Sequence, residues 1–298
     1  MLDPRMQIFN LTDKCDNACV FCICRRHLKE GIGDSPSTIK KKLRALQEGG
    51  LVDIYGGEPT LSRYFMEIVR RAKRRNCFIN IASNARSFSR KALLEEFVTA
   101  TADYRDRIFI RSSLHGHTAA LHERHTGRKG SYREAIDGIR ALKKAGYRLS
   151  VNTVITRHNY RELRNIHRLL ERYGVDCFKL SFMRYTIQNV GLAVSLNDLK
   201  KELPKTIQQV ADSKMAIDLD SIPYCVAPAQ LALYAKDQHG FIENDSRVVT
   251  PGQCGKCSMA GMCSGVDREY FELFGGAELK PISRRHTDGL LAKVAEHP

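Results

Sequence analysis

Apolar residues in this chain come in short bursts, separated by stretches in which they recur every third or fourth position. A burst of four to eight apolar residues reads as a strand, and the longer spacing reads as a helix with one buried face. The burst at 6–11 predicts the first strand. Ile39, Leu43 and Leu46 then mark a helix with Ser35 or Ser37 as N-cap and Gly49-Gly50 as its stop. The alternation continues with a strand at 51–55, a helix at 64–75, a strand at 77–81, a helix at 90–100 and a strand at 108–113. A helix at 132–144 stops at Gly146, and a strand at 148–155, a helix at 160–173 and a strand at 177–182 follow. Repeated strand–helix alternation predicts an α/β fold with a parallel sheet, because parallel strands need crossover connections. Past Met183 the pattern decays into a polar helix at 196–213, a short strand at 215–219 and a cysteine-bearing tail. A boundary near residue 190 is expected, with a core at 1–190 and an extension at 191–298.

Composition narrows the setting. The chain has 298 residues, 43% of them hydrophobic, enough for one α/β barrel with an appendage or for two ordinary domains. Its first residues lack a basic stretch followed by an apolar one, and no apolar run is long enough to span a membrane. A cytoplasmic protein with no membrane partner is expected. Ten cysteines in such a chain are poor disulfide candidates, since the cytosol keeps thiols reduced. Besides Cys24, seven of them fall in two groups, near residue 20 and after residue 220, where metal ligation is the better account; Cys77 and Cys177 stand alone and read as small core hydrophobes. The formal net charge of +15 points to anionic partners. Ligated thiolates would offset part of it, however, and runs such as Lys40-Lys41-Lys42 read as solvated helix faces, so nucleic acid is a possible but not a favoured partner.

The first cysteine group, Cys15, Cys19 and Cys22, has CxxxCxxC spacing. Such a loop can put three thiolates on three irons of a cubane and leave the fourth iron open. A structural zinc site is the alternative, with Cys24 as fourth ligand. Phe21 before the last cysteine, and Gly56-Gly57-Glu58-Pro59 at the end of the second predicted strand, complete the pattern. On these motifs the chain resembles the radical S-adenosylmethionine (SAM) superfamily, with its CxxxCx(aromatic)C loop and GGE strand end.

The resemblance implies a partial (βα)6 TIM-like barrel with a small cysteine-rich C-terminal extension. It implies a 4Fe–4S cluster that binds SAM, cleavage of SAM to a 5′-deoxyadenosyl radical that abstracts a substrate hydrogen, and a reducing partner such as a flavodoxin or ferredoxin. Gly56, Gly57 and Glu58 then orient the methionine end. Ser83 and Asn84 match the family's (Ser/Thr)-Asn after the third strand, and Ser113 matches its Ser-Leu-His segment after the fourth. Asn152 is expected at the ribose or carboxylate and Met183 beside the adenine. His115, His117, His122 and His125 fall in a loop and helix common in the superfamily; surface hydrogen bonding is their expected role, with His115 or His117 facing substrate as the alternative. Cys24 reads as structural, or as a hydrogen donor beside the radical site.

The second group, Cys225, Cys254, Cys257 and Cys263, supplies four ligands. Four thiolates fit zinc and a fully ligated 4Fe–4S cluster equally well. The resemblance of the tail to the extensions called SPASM and Twitch favours a second, auxiliary cluster. Such extensions recur in maturases of ribosomally made peptides, so a peptide or protein substrate is expected, docked without an N-terminal winged-helix domain. Radical modification of an RNA nucleoside or of a nucleotide-derived small molecule is the alternative. The family's GTP cyclisation is not expected, because the long gap in that enzyme's second cysteine spacing is absent here. A non-catalytic iron–sulfur or zinc redox or interaction protein is the third possibility, and the intact motifs speak against it.

Overall fold

The computed structural model describes residues 5–22, 33–186, 189–234, 248–284 and 287, so Cys24 lies outside the described residues. The elements alternate as β1 (Gln7–Asn10), α1 (Pro36–Arg44), β2 (Leu51–Tyr55), α2 (Phe65–Arg74), β3 (Phe78–Ala82), α3 (Lys91–Thr101), β4 (Ile108–Ser113), α4 (Ala119–Thr126), α5 (Ser131–Lys144) and β5 (Arg148–Ile155). They continue with α6 (Leu163–Arg172), β6 (Cys177–Phe182), α7 (Leu196–Ala211), β7 (Ala216–Asp220), α8 (Leu231–Tyr234), β8 (Val248–Val249), β9 (Val266–Asp267) and α9 (Arg268–Phe274). The first seven strands form one sheet in chain order. Pairing is parallel from β1 through β5 and again between β6 and β7. The strand expected at 215–219 is the seventh member of the sheet, paired with β6.

Packing divides the chain into two compact units, residues 1–152 with 172–176, and residues 153–171 with 177–298. In the first, α1 starts where Ser35 caps it: the hydroxyl accepts the Thr38 N–H at 3.1 Å, and Pro36 occupies the first turn, where no N–H is needed. Helix α2 buries Phe65, Ile68, Val69 and Ala72, the spacing of one helical face, and Phe65 meets Phe88 and Phe97 in a ring cluster with centroids 5.3–6.3 Å apart. In the second unit, α7 buries Leu199, Leu203, Ile207 and Val210. Its first N–H, on Leu196, donates to Tyr270 Oη at 2.7 Å and Glu278 Oε2 at 3.0 Å, which ties the C-terminal segment to the helix start. Cys77 is buried as expected, whereas Cys177 at the start of β6 is only partly covered.

Candidate functional site

The cysteine loop leaves the carboxyl end of β1 and runs beside the carboxyl end of β2. Leu11 N–H donates to Tyr55 O at 2.8 Å, Gly57 N–H to Thr12 O at 2.7 Å and Glu58 N–H to Lys14 O at 2.7 Å, so the pairing continues beyond the strands up to Cys15. The two glycines are required by this approach. A Cβ on Gly57 would stand 2.3 Å from Lys14 O, and one on Gly56, whose φ is +140°, would stand 2.8 Å from Thr12 O.

Glu58 is 1% exposed. Its Oε1 accepts from Thr60 Oγ1 at 2.6 Å, Thr60 N–H at 3.2 Å and Ser83 Oγ at 2.8 Å, and its Oε2 accepts the Asn84 N–H at 2.7 Å. Burial raises its pKa, and these bonds pull the other way. The carboxylate therefore clamps the end of β2 to the end of β3. Asn84 is committed too: its Nδ2 donates to Asp16 Oδ1 at 2.7 Å and its Oδ1 accepts the Arg86 N–H at 2.9 Å. Ser113 and Asn152 face one another in register across β4 and β5. Met183, buried just past β6, lies in the second unit.

The loop's far side rests on α4. Ala18 N–H donates to Thr126 O at 2.7 Å and Val20 N–H to His125 O at 2.9 Å, which supplies partners for carbonyls that a helix C-terminus leaves free. Gly127, at φ +64°, ends the helix, and a Cβ there would be 2.9 Å from Ala18 O. The histidines here overturn the expectation of surface bonding. His115, His122 and His125 are at most 3% exposed, and Phe21 packs edge-on against His115 with centroids 4.7 Å apart. His122 Nδ1 accepts the His115 N–H at 3.1 Å. Burial holds His122 down to about 3 and His115 well below the ordinary value, with the neighbouring histidines adding to both. Strand and helix spacing carried no signal for this packing; the bulky Phe21 in the loop was the one hint.

Cys15, Cys19 and Cys22 are all partly covered, and burial pushes the Cys15 thiol up to about 11 against one backbone N–H from Asn17. Among the described residues no three His, Cys, Asp or Glu side chains gather round a single ion. A cubane asks for something else, one thiolate on each of several irons. Three thiols stand on one braced loop, and Cys15, disfavoured as a free thiolate by burial and by Glu58, Asp16 and Cys22, suits a cationic core.

In the second unit, Cys225, Cys254, Cys257 and Cys263 line one cavity together with Tyr224 and Lys280. Backbone N–H groups reach the sulfurs: Ile282 to Cys257 at 3.3 Å, Lys280 to Cys225, and Tyr224 and Gly265 to Cys263. Burial raises Cys225, Cys254 and Cys263, and neighbouring thiols raise them further. Four thiols lining one cavity, with N–H groups aimed at sulfur, match the donor set of a thiolate-bound cluster.

The sequence profile of the Radical SAM superfamily matches residues 9–170. The chain is 26% identical over 292 residues to the PqqA peptide cyclase of Rhodopseudomonas palustris, covering 94% of this chain and 74% of that one. It is 30% identical over 208 residues to a probable GTP 3',8-cyclase of Metallosphaera sedula, covering 67% of this chain and 62% of that one. Among solved structures, Streptococcus suis SuiB bound to S-adenosylmethionine matches with a TM-score of 0.63 at 13% identity, over 94% of this chain and 76% of that one. SuiB bound to its precursor peptide SuiA matches with a TM-score of 0.56 at 18% identity, over 73% of this chain and 49% of that one.

Proposed function

Since the chain belongs to the radical SAM superfamily, we propose that Cys15, Cys19 and Cys22 hold the 4Fe–4S cluster at which SAM is cleaved, and that the substrate is a peptide or protein. The observation that carries this reading is the continuous backbone pairing of the cysteine loop with the Gly56-Gly57-Glu58 strand end. It sets three thiols beside the carboxyl ends of parallel strands, where barrel enzymes place their chemistry. When bound, the cluster supplies the electron that breaks a carbon–sulfur bond of SAM.

The chain's own residues do the rest. Gly56 and Gly57 let the cysteine loop pack directly on the strand end, and their backbone carbonyls orient the amino group of the methionine end. Glu58, with its oxygens committed to Thr60, Ser83 and Asn84, acts by holding those strand ends at fixed spacing. Ser113 and Asn152, adjacent across β4 and β5, offer polar groups to the ribose or carboxylate. Cys225, Cys254, Cys257 and Cys263 hold an auxiliary 4Fe–4S cluster, with structural zinc as the alternative. A flavodoxin or ferredoxin of the cytoplasm provides the electrons.

The similarity to a peptide cyclase along nearly the whole chain supports a peptide substrate. The similarity to a probable GTP cyclase supports a second reading, a nucleotide substrate, which the cysteine spacing of the tail disfavours. Reconstituted protein given dithionite and SAM should release 5′-deoxyadenosine, and a Cys15→Ala, Cys19→Ala, Cys22→Ala variant should release none. If the intact protein releases none, the assignment falls. Incubation with GTP, or with short peptides encoded beside the gene, separates the substrates: consumption of GTP would replace the peptide reading.

A further inference from the structure

Between Cys15 and Cys19 the chain has no regular secondary structure, yet the two thiols must keep a set separation to serve one cluster. One side chain grips this link from outside. Arg86, 11% exposed, donates from Nη1 to Asp16 O at 2.6 Å and to Asn17 Oδ1 at 2.8 Å, and Nη1 lies 3.4 Å from the Asp16 carboxylate. Its Nε donates to Glu134 Oε2 at 2.6 Å, on α5. The rigid guanidinium thus spans two elements, which a lysine's single ammonium cannot do with the same geometry. Asn84 holds the other Asp16 oxygen.

The surrounding chain is shaped to put Arg86 there. Ala85 is buried with φ +63°, a left-handed conformation that a side chain rarely adopts and that is kept only where the surroundings enforce it. Helix α5 passes so close that a Cβ on Gly138 would fall 2.0 Å from Ala85 O. Glu134 stands one helical turn before that glycine and therefore on the same face, where it meets Arg86. A largely buried guanidinium is costly unless fully paired, and it adds little net stability even when it is. A left-handed residue, a close-packed glycine and a half-buried ion pair together place one guanidinium on two residues between cluster ligands, and fold stability alone does not require that arrangement.

We propose that Arg86, braced by Glu134, is a positioning residue for the cysteine loop, fixing Asp16-Asn17 so that Cys15 and Cys19 are held in cluster-binding geometry. The proposal rests on the cluster assignment above. Residues that orient ligands typically change metal affinity by about 10–100-fold when removed. In the reconstituted full-length protein, the electron paramagnetic resonance signal that changes on adding SAM reports this cluster, and its decay under a chelator reports how firmly the loop holds it.

Arg86→Lys, which keeps the charge and loses the fork, is expected to lose that signal about tenfold faster than the unmodified protein, with an unchanged thermal midpoint. Glu134→Gln should fall between the two, and the double variant should match Arg86→Lys alone, because the pair acts as one unit. Retention of the unmodified decay rate and line shape by Arg86→Lys, or additive effects in the double variant, would overturn the proposal. If Arg86→Lys fails to fold, Glu134→Gln decides, since it lies on a part-exposed helix face, and an unchanged decay rate there is also fatal. An unmodified protein without any SAM-responsive signal sinks the cluster assignment and this proposal together, whereas a normal signal with indifferent variants sinks the role of Arg86 alone.

Discussion

At position 57 even a methyl group would collide with a backbone carbonyl, since the nearest atom would be 2.3 Å from the new Cβ. Gly57→Ala should destabilise the chain by about 1–3 kcal/mol through overpacking and reduce bound iron, read by urea unfolding and iron assay. Ser83→Ala should lower cluster retention as well, because it withdraws one donor from a buried carboxylate. The histidines give a pH signature. Burial keeps His122 at about 3 in the folded protein, against 6.5 for an ordinary histidine. The unfolded chain therefore takes up a proton that the folded chain refuses as pH falls below 6.5, and stability is lost in that direction. For one histidine that stays neutral when folded, the loss from pH 7 to pH 5 is roughly 2 kcal/mol. Urea midpoints at the two pH values should show it, and His122→Gln should flatten the difference. Little of this was legible beforehand. GGE was readable as a strand-end motif, but which atoms Glu58 and Asn84 engage depends on neighbours 26 and 68 residues away along the chain.

Up to β7 most helices and strands followed from local periodicity, with most ends within three residues, although α1 stops at Arg44, short of Leu46 and of the glycines expected to end it. Helix α4 is the instructive element. Its first turn is capped by Thr118 Oγ1, which accepts the Leu121 N–H at 3.3 Å, and its last carbonyls receive the cysteine loop. A short polar helix contributes little buried apolar face, so periodicity barely marks it; the loop on one side, and bonds from Thr126 and Glu123 to the start of α5 on the other, hold it. Gly127→Ala combines a left-handed backbone with a close contact to Ala18 O. It should cost about 1–3 kcal/mol and shorten retention of the SAM-responsive signal, whereas Ser35→Ala at the start of α1 should cost about 1 kcal/mol and leave that signal alone.

For the molecule as a whole, the decisive count is iron. With clusters on both cysteine groups the reconstituted chain should hold about eight irons, and Cys225→Ala should leave about four. An unchanged count near four in both proteins would remove the auxiliary cluster and favour zinc in the tail. Sequence by itself determined the α/β class, the order of the sheet strands and of the main helices between them up to β7, the CxxxCxxC loop and its GGE partner, and the identity of seven candidate ligands. These are local or nearly local properties, since periodicity, capping and motif spacing are written in neighbouring residues. Tertiary structure alone decided that 215–219 joins the sheet, that three histidines are buried, two of them against Phe21, that Cys177 is partly exposed, and that Cys225 shares a cavity with cysteines some thirty positions away. It also decided the grip of Arg86 on the cysteine loop. Burial and long-range hydrogen bonds arise only when distant segments pack, and the energy that selects those contacts is not a property of any one segment.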